Sequence, residues 1–200
     1  MPRTGERGGP QTRARVLQAA NLLFFERGFD AVTVADVAKA AGVSSVTVFN
    51  HFPRKEDLFF DRADDAVELL RAAIRKPAPG LDALGALREL TLRLVEERHP
   101  LSGTDPRSLQ YLRTVAGAPS LVAGARSIAA ALQRTLADEL DASAGFTGDP
   151  GLFAALFMGG YSEVFVATAR RILAGEHPDE VVADHRARVE RFFEALRSGI

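Results

Sequence analysis

Four histidines, His51, His99, His177 and His185, are the side chains best suited to move a proton or hold a metal near neutral pH. His99 has Ser102 and Asp105 beside it, the residue types of a nucleophilic triad. All three fall in one short Pro-bounded loop with nothing to form an oxyanion hole, and a polar loop cluster accounts for them better. His177, Glu180, Asp184 and His185 are metal-ligand types. Their spacing is poor, since His177 and His185 stand eight apart and His177 precedes the helix that carries the others. No cysteine is present, which excludes disulfides and thiolate sites. No Gly-rich phosphate loop follows a strand. Neither an enzyme nor a bound metal or other cofactor is expected.

The fourth histidine stands in a different kind of run, AGVSSVTVFNHF, residues 41–52. Small hydroxyls, an amide and apolar side chains follow a glycine that interrupts a helical pattern. Two short helices, Thr33–Ala41 and Ser44–His51, joined at Gly42-Val43, have the proportions of a helix-turn-helix. Gly42 is needed because the residue leaving the first helix must take a left-handed backbone. Val34, Val37, Ala38, Val43, Val48 and Phe52 would lock the pair onto a preceding helix. The second helix then presents Ser45, Val46, Thr47, Phe49, Asn50 and His51 outward, with Ser44 as its N-cap. That face suits the major groove of double-stranded DNA, where hydroxyls and amides meet base edges and apolar groups meet thymine methyls. Thr12 and Thr33, at helix starts, and Lys55, just beyond the second helix, would meet phosphates.

The elements that position these residues all read as helices. TRARVLQAANLLFFERG repeats its apolar residues at helical spacing from Thr12 and ends at Gly28. Thr33 and Asp36 form a capping-box pattern, and Pro53 stops the reading helix. Further helices are expected at about 54–76, from about 84 to a stop near His99-Pro100, and at about 107–116, 120–142, 150–174 and 178–197. The fold class is therefore all-α, with nine helices. A boundary is expected near residue 54: a basic arm at 1–11, a three-helix DNA-binding domain at 12–53, and a six-helix domain at 54–200. Residues 1–56 carry eight basic against five acidic side chains, and the remainder 17 against 21. A basic end on an acidic body suits a protein that touches phosphates at one end only.

TVADVAKAAGVSSVTVFNHFPRKEDLF resembles the DNA-binding signature of the TetR family of bacterial repressors. The resemblance runs from Thr33 through Leu58, with support upstream. It implies base contacts at Ser45, Val46, Thr47 and Phe49, and phosphate contacts at Thr33, Phe49, His51 and Lys55. Val46 replaces a common glycine, Phe49 replaces the usual tyrosine and loses its hydroxyl, and Ala35 removes a long base-reading side chain. Arg3 and Arg7 are candidates for the minor groove.

A short reading helix binds weakly alone, so two copies related by a two-fold are expected on a palindromic operator. The last two helices are the candidates for pairing, with Phe153, Leu156, Phe157, Val164, Phe165 and Thr168 on one and Val181, His185, Val189, Phe192, Phe193 and Leu196 on the other. Gly160, beside Gly159, permits close helix approach. The resemblance implies that these helices form a four-helix bundle in a homodimer. It also implies a cavity within residues 81–175 for a small-molecule effector, which a lining of Leu, Phe and Ala would make largely apolar. Gln110, Tyr111, Arg113 and Thr114 on the sixth helix and Met158, Tyr161, Ser162 and Glu163 on the eighth are its candidate lining. Ligand between those helices would shift the fourth helix and release DNA. An N-terminus without an apolar stretch, the lack of cysteine and the glycines and Glu163 within the most apolar helix lead us to expect a cytoplasmic protein with no membrane span. The competing reading is an all-α interaction protein that keeps a helix-turn-helix shape without sequence-specific DNA binding.

Overall fold

The computed structural model describes residues 9–105 and 107–198. Among them are nine α-helices and no strand: α1 Pro10–Arg27, α2 Val34–Ala41, α3 Ser45–His51, α4 Ala63–Arg75, α5 Ala83–Glu96, α6 Ser108–Gly117, α7 Pro119–Asp141, α8 Pro150–Leu173 and α9 Pro178–Ser198. Single 3-10 turns lie at Lys55–Leu58 and Pro100–Ser102. The all-α expectation is met, and most helix ends agree with it to within a residue or two.

Local chemistry explains those ends. Gly28 (φ 82°) closes α1, its N–H bonding the Phe24 carbonyl at 3.0 Å. Asp82 accepts the Gly85 N–H at 2.7 Å to start α5, and Asp149 accepts the Leu152 N–H at 2.9 Å to start α8. Pro150 follows Asp149 in the first turn of α8, where a missing N–H costs nothing.

The fourth helix departs from expectation. No continuous helix runs over 54–76: Lys55–Leu58 winds as a 3-10 turn, and α4 begins only at Ala63. Asp57 holds that turn by accepting the Arg54 backbone N–H at 2.9 Å and its guanidinium at 2.8 Å. Phe59 is then buried against Phe24 and Phe29, with ring centroids 6.1 Å from each. Leu58 is buried beside it.

The chain divides into two compact units, Met1–Asp61 with Arg113–Ala125, and Arg62–Leu112 with Arg126–Ile200. The division falls beyond residue 53 because Leu58 and Phe59 belong to the core of the first unit. That unit also takes in part of α7, where a Cβ placed on Gly124 would lie 2.8 Å from the Phe60 ring. Its core is made by Val16, Ala20, Phe24, Phe29, Val37 and Val48. The core of the second unit draws on five helices: Leu70 and Ile74 of α4, Leu87 of α5, Leu136 and Leu140 of α7, Ala154 and Phe157 of α8, Val189 and Phe193 of α9. Within it, Arg75 donates twice to the buried Glu139 carboxylate, both at 2.6 Å, tying α4 to α7.

Candidate nucleic-acid interface

Residues 33–52 fold as two helices around one tight turn. The Thr33 N–H donates to the Asp36 carboxylate at 2.9 Å and the Asp36 N–H to the Thr33 hydroxyl at 3.1 Å, a reciprocal capping box. At Gly42 the backbone is left-handed (φ 65°, ψ 38°), and its N–H bonds the Lys39 carbonyl at 3.2 Å. Ser44 caps α3 by accepting the Thr47 N–H at 3.1 Å. The helix ends at Phe52, which is extended (φ −138°, ψ 92°) as a residue before proline must be. Val37, Ala38, Val48 and Phe52 are buried and fix α2 and α3 against α1.

This anchoring leaves one side of α3 in solvent. Val46 is 68% exposed and Phe49 49% exposed. Asn50 is exposed too, and Ser45, Thr47 and His51 are half-buried. The outward face is therefore composed as the spacing predicts, with one qualification. Thr47 and Ser44 share a hydrogen bond between their hydroxyls at 2.9 Å, so part of their polar capacity holds the first turn together.

The expected phosphate contacts are placed differently. Thr12 does not start α1: Gly9 is the N-cap, and the Thr12 N–H bonds the Gly9 carbonyl at 2.9 Å. Its side chain is 4% exposed and packs into the unit, because the helix begins two residues earlier, at Pro10. Thr33 does start a helix, but its N–H and hydroxyl both donate to Asp36. Those bonds hold the Asp36 carboxyl below its usual range. Lys55 is half-buried with its ammonium 4.2 Å from the Phe29 ring centroid, and withdrawal from water pushes the amine below its ordinary value. Spacing did not single out Arg13, whose guanidinium sits 5.1 Å over the Phe52 ring, at the end of α3. Arg3 and Arg7 lie outside the described residues.

The residues expected to pair two chains are largely inside one. Phe157, Val164, Val181, His185 and Val189 are buried, and Phe153 and Phe192 pack on the same core. A Cβ on Gly160 would collide with the Phe192 ring, and Phe165 lies against Gly103. Helical periodicity marks an apolar face without saying whether it is covered by the same chain or another. His185 has no exposure at all. The Thr168 hydroxyl donates to the Val164 carbonyl (3.0 Å), so His185 Nδ1–H donates to Thr168 (2.7 Å), and Nε2 is buried with no partner among the described residues. Burial lowers this imidazole to about 4. The opposite face of α8 is the one left open: Leu152 is 59%, Leu156 46% and Val166 39% exposed, and nothing approaches Gly159. Their spacing, 152, 156, 159 and 166, was legible as a second apolar stripe on a helix apolar on both sides.

The eight candidate effector residues are divided between the two units. Arg113 and Thr114 belong to the first unit, while Gln110, Tyr111 and the α8 residues belong to the second. Met158 is buried, Tyr161 stacks parallel on Phe157 at 6.1 Å, Ser162 is half-buried and Glu163 is exposed. Burial pushes the Tyr161 hydroxyl up to about 12. Two surface depressions of about 310 and 570 Å³ lie elsewhere, one around Ile74, Arg75 and Glu139, the other around Leu81, Arg88, Leu92 and Arg197. The His99 loop holds no triad: Ser102 donates to the His99 carbonyl (2.7 Å), and Asp105 pairs with Arg107 (2.8 Å).

Residues 16–61, the span that carries the capped turn and α3, match the model of the bacterial regulatory proteins of the tetR family. This segment of the chain is of the TetR type. It is 33% identical over 101 residues to the HTH-type transcriptional regulator TtgR of Pseudomonas putida, covering 48% of this chain and 47% of that protein. It is 37% identical over 79 residues to the HTH-type transcriptional repressor KstR2 of Rhodococcus jostii, covering 39% of each. The aligned segment thus spans about half the length, or less, of these curated TetR-family relatives. The crystal structure of NalD, the secondary repressor of the MexAB-OprM multidrug efflux pump in Pseudomonas aeruginosa, shares the fold, with a TM-score of 0.61 at 21% identity over 93% of this chain and 97% of that one. TetR-family proteins are transcriptional regulators, not enzymes.

Proposed function

We propose that this chain is a cytoplasmic transcriptional repressor of the TetR family that binds a palindromic operator as a homodimer and is released by a small, largely apolar effector. The observation that carries the reading is α3 itself, a capped helix whose buried side is anchored by Val48 while Val46, Phe49 and Asn50 stand in solvent. No interior function explains that exposure, and a major groove accepts a helix of this kind. Ser45, Thr47 and His51 flank the same face, and Lys55 and Arg13 supply positive charge close by.

Homodimerisation accounts for α8. By length and composition this helix could cross a membrane, yet its inner side packs in the core of the second unit. A second copy of the same helix covering Leu152, Leu156, Gly159 and Val166 explains the outer side without a bilayer. A dimer places two α3 helices on half-sites about 34–36 Å apart or a multiple of that. The effector acts through the second unit, where binding it and binding operator oppose each other by a coupling free energy.

The test is selection of random duplex DNA on the purified protein at near-physiological salt. Enrichment of a palindrome supports the dimeric reader. A folded dimer that enriches nothing returns the chain to the interaction-protein reading. For the effector half of the proposal, a true ligand must lower operator affinity; one that binds tightly and leaves that affinity unchanged counts against release.

A further inference from the structure

We infer that α3 distinguishes bases chiefly by the 5-methyl group of thymine, with Val46 and Phe49 as the residues that set this specificity. The inference rests on the operator-binding reading above and adds what the reading face recognises.

Three observations lead there. First, Val46 and Phe49 are large apolar side chains left 68% and 49% exposed on a helix of only seven residues. They stand three positions apart, so they share one face of the helix. Burying side chains of this kind is favourable, so leaving two in water forgoes stability unless a partner covers them. Second, the hydroxyls expected to read base edges are partly engaged. Ser44 accepts the Thr47 N–H at 3.1 Å, and the two hydroxyls bond each other at 2.9 Å. One hydroxyl hydrogen is spent in that bond, which leaves the pair fewer free groups for bases. Third, the α3 sequence SVTVFNH contains no Arg, Lys, Asp or Glu. The helix therefore lacks the forked cation that reads guanine and the carboxylate that reads cytosine. What it offers the groove is an apolar edge beside the exposed Asn50 amide and the half-buried Ser45, Thr47 and His51.

In the major groove one base carries an apolar group, thymine, at C5. A methyl seated against Val46 or the Phe49 ring is desolvated on both sides, and its removal costs the transfer free energy of about one CH₂, a factor of roughly four per methyl. A symmetric operator presents each position twice, so changing both half-sites multiplies the effect to roughly fifteenfold.

The experiment begins from the selected palindrome. Each thymine is replaced in turn, in both half-sites, by deoxyuridine, which differs only in lacking the methyl, and affinity is measured by fluorescence anisotropy at fixed salt. We expect at least one position where deoxyuridine weakens binding by roughly fifteenfold. With Val46→Ala or Phe49→Ala that penalty should shrink toward none, while both variants stay folded because neither side chain is buried. A palindrome bound equally well with deoxyuridine at every position overturns the inference and leaves the operator-binding reading intact. A penalty that persists unchanged in both variants overturns the assignment to these residues. If no palindrome is enriched, the operator-binding reading falls and this inference falls with it.

Discussion

Lys55 packs on the protein and is proposed to meet phosphate, and a single substitution separates the two roles. Its ammonium lies over the Phe29 ring, while its place just past α3 suits a phosphate contact. Lys55→Met keeps the apolar stem and removes the charge. We expect its thermal midpoint to stay near that of the unmodified chain, with operator binding weakened alike for all sequences and the salt slope reduced by about one. Lys55→Ala should lose stability as well, because Phe29 is uncovered. Equal salt slopes for Lys55→Met and the parent would remove Lys55 from the interface. At Thr33 the capping box allows a simpler expectation: Thr33→Ala lowers stability by about 1 kcal/mol in urea unfolding. Residue types that act locally were legible. Gly28, Gly42, Thr33 with Asp36, Ser44 and Pro53 each do what their own chemistry dictates, because a cap or a left-handed turn depends on the next few residues alone. Thr12 was misplaced because Gly9 and Pro10 upstream already start its helix. Lys55 read as free because nothing in its neighbours' order shows that Phe29 comes beneath it.

At the scale of elements, α8 offers two adjacent glycines with opposite surroundings. Gly160 faces Phe192 so closely that a methyl must displace the ring, and Gly159 faces open space. Gly160→Ala should cost about 1–3 kcal/mol by overpacking. Gly159→Ala should stabilise the single chain by up to about 1 kcal/mol through helix propensity. If the outer face of α8 pairs two chains, a larger change such as Leu156→Glu should leave the chain folded and shift it to monomer in sedimentation velocity. A Leu156→Glu protein that sediments as a dimer would move the interface elsewhere. The sequence told which stripes of α8 and α9 were apolar, since that needs only a period of 3.6 residues. It did not tell which stripe the same chain covers, because periodicity is identical in the two cases. Nor did it show the break before α4, where Phe59 fits a helical repeat yet is drawn into the core of the first unit.

For the whole molecule, His185 sets an acid limit. Its folded value is lowered to about 4 from an ordinary 6.5, so the unfolded chain binds the proton more readily between those values. The stability it supports is complete above about pH 6.5 and is lost as the pH falls through about 4, on the order of 3 kcal/mol in all. Urea unfolding at pH 7, 5.5 and 4.5 should show this loss, and His185→Gln, which cannot take up that proton, should show a shallower one; parallel curves would exclude His185 as the cause. The Glu139 carboxylate, lowered by the hydrogen bonds from Arg75, adds its own loss only at lower pH, below its ordinary range. The first compact unit also has a history written into its connectivity. It is closed by Arg113–Ala125, which follow Asp61 only after a long excursion through the other unit. On the ribosome, the part of the chain that is made first cannot be finished first. The surface that Gly124 covers at Phe60 stays bare until Arg113–Ala125 have been synthesised, so the nascent first unit passes through a stage in which most of its sequence is present and its shape is incomplete.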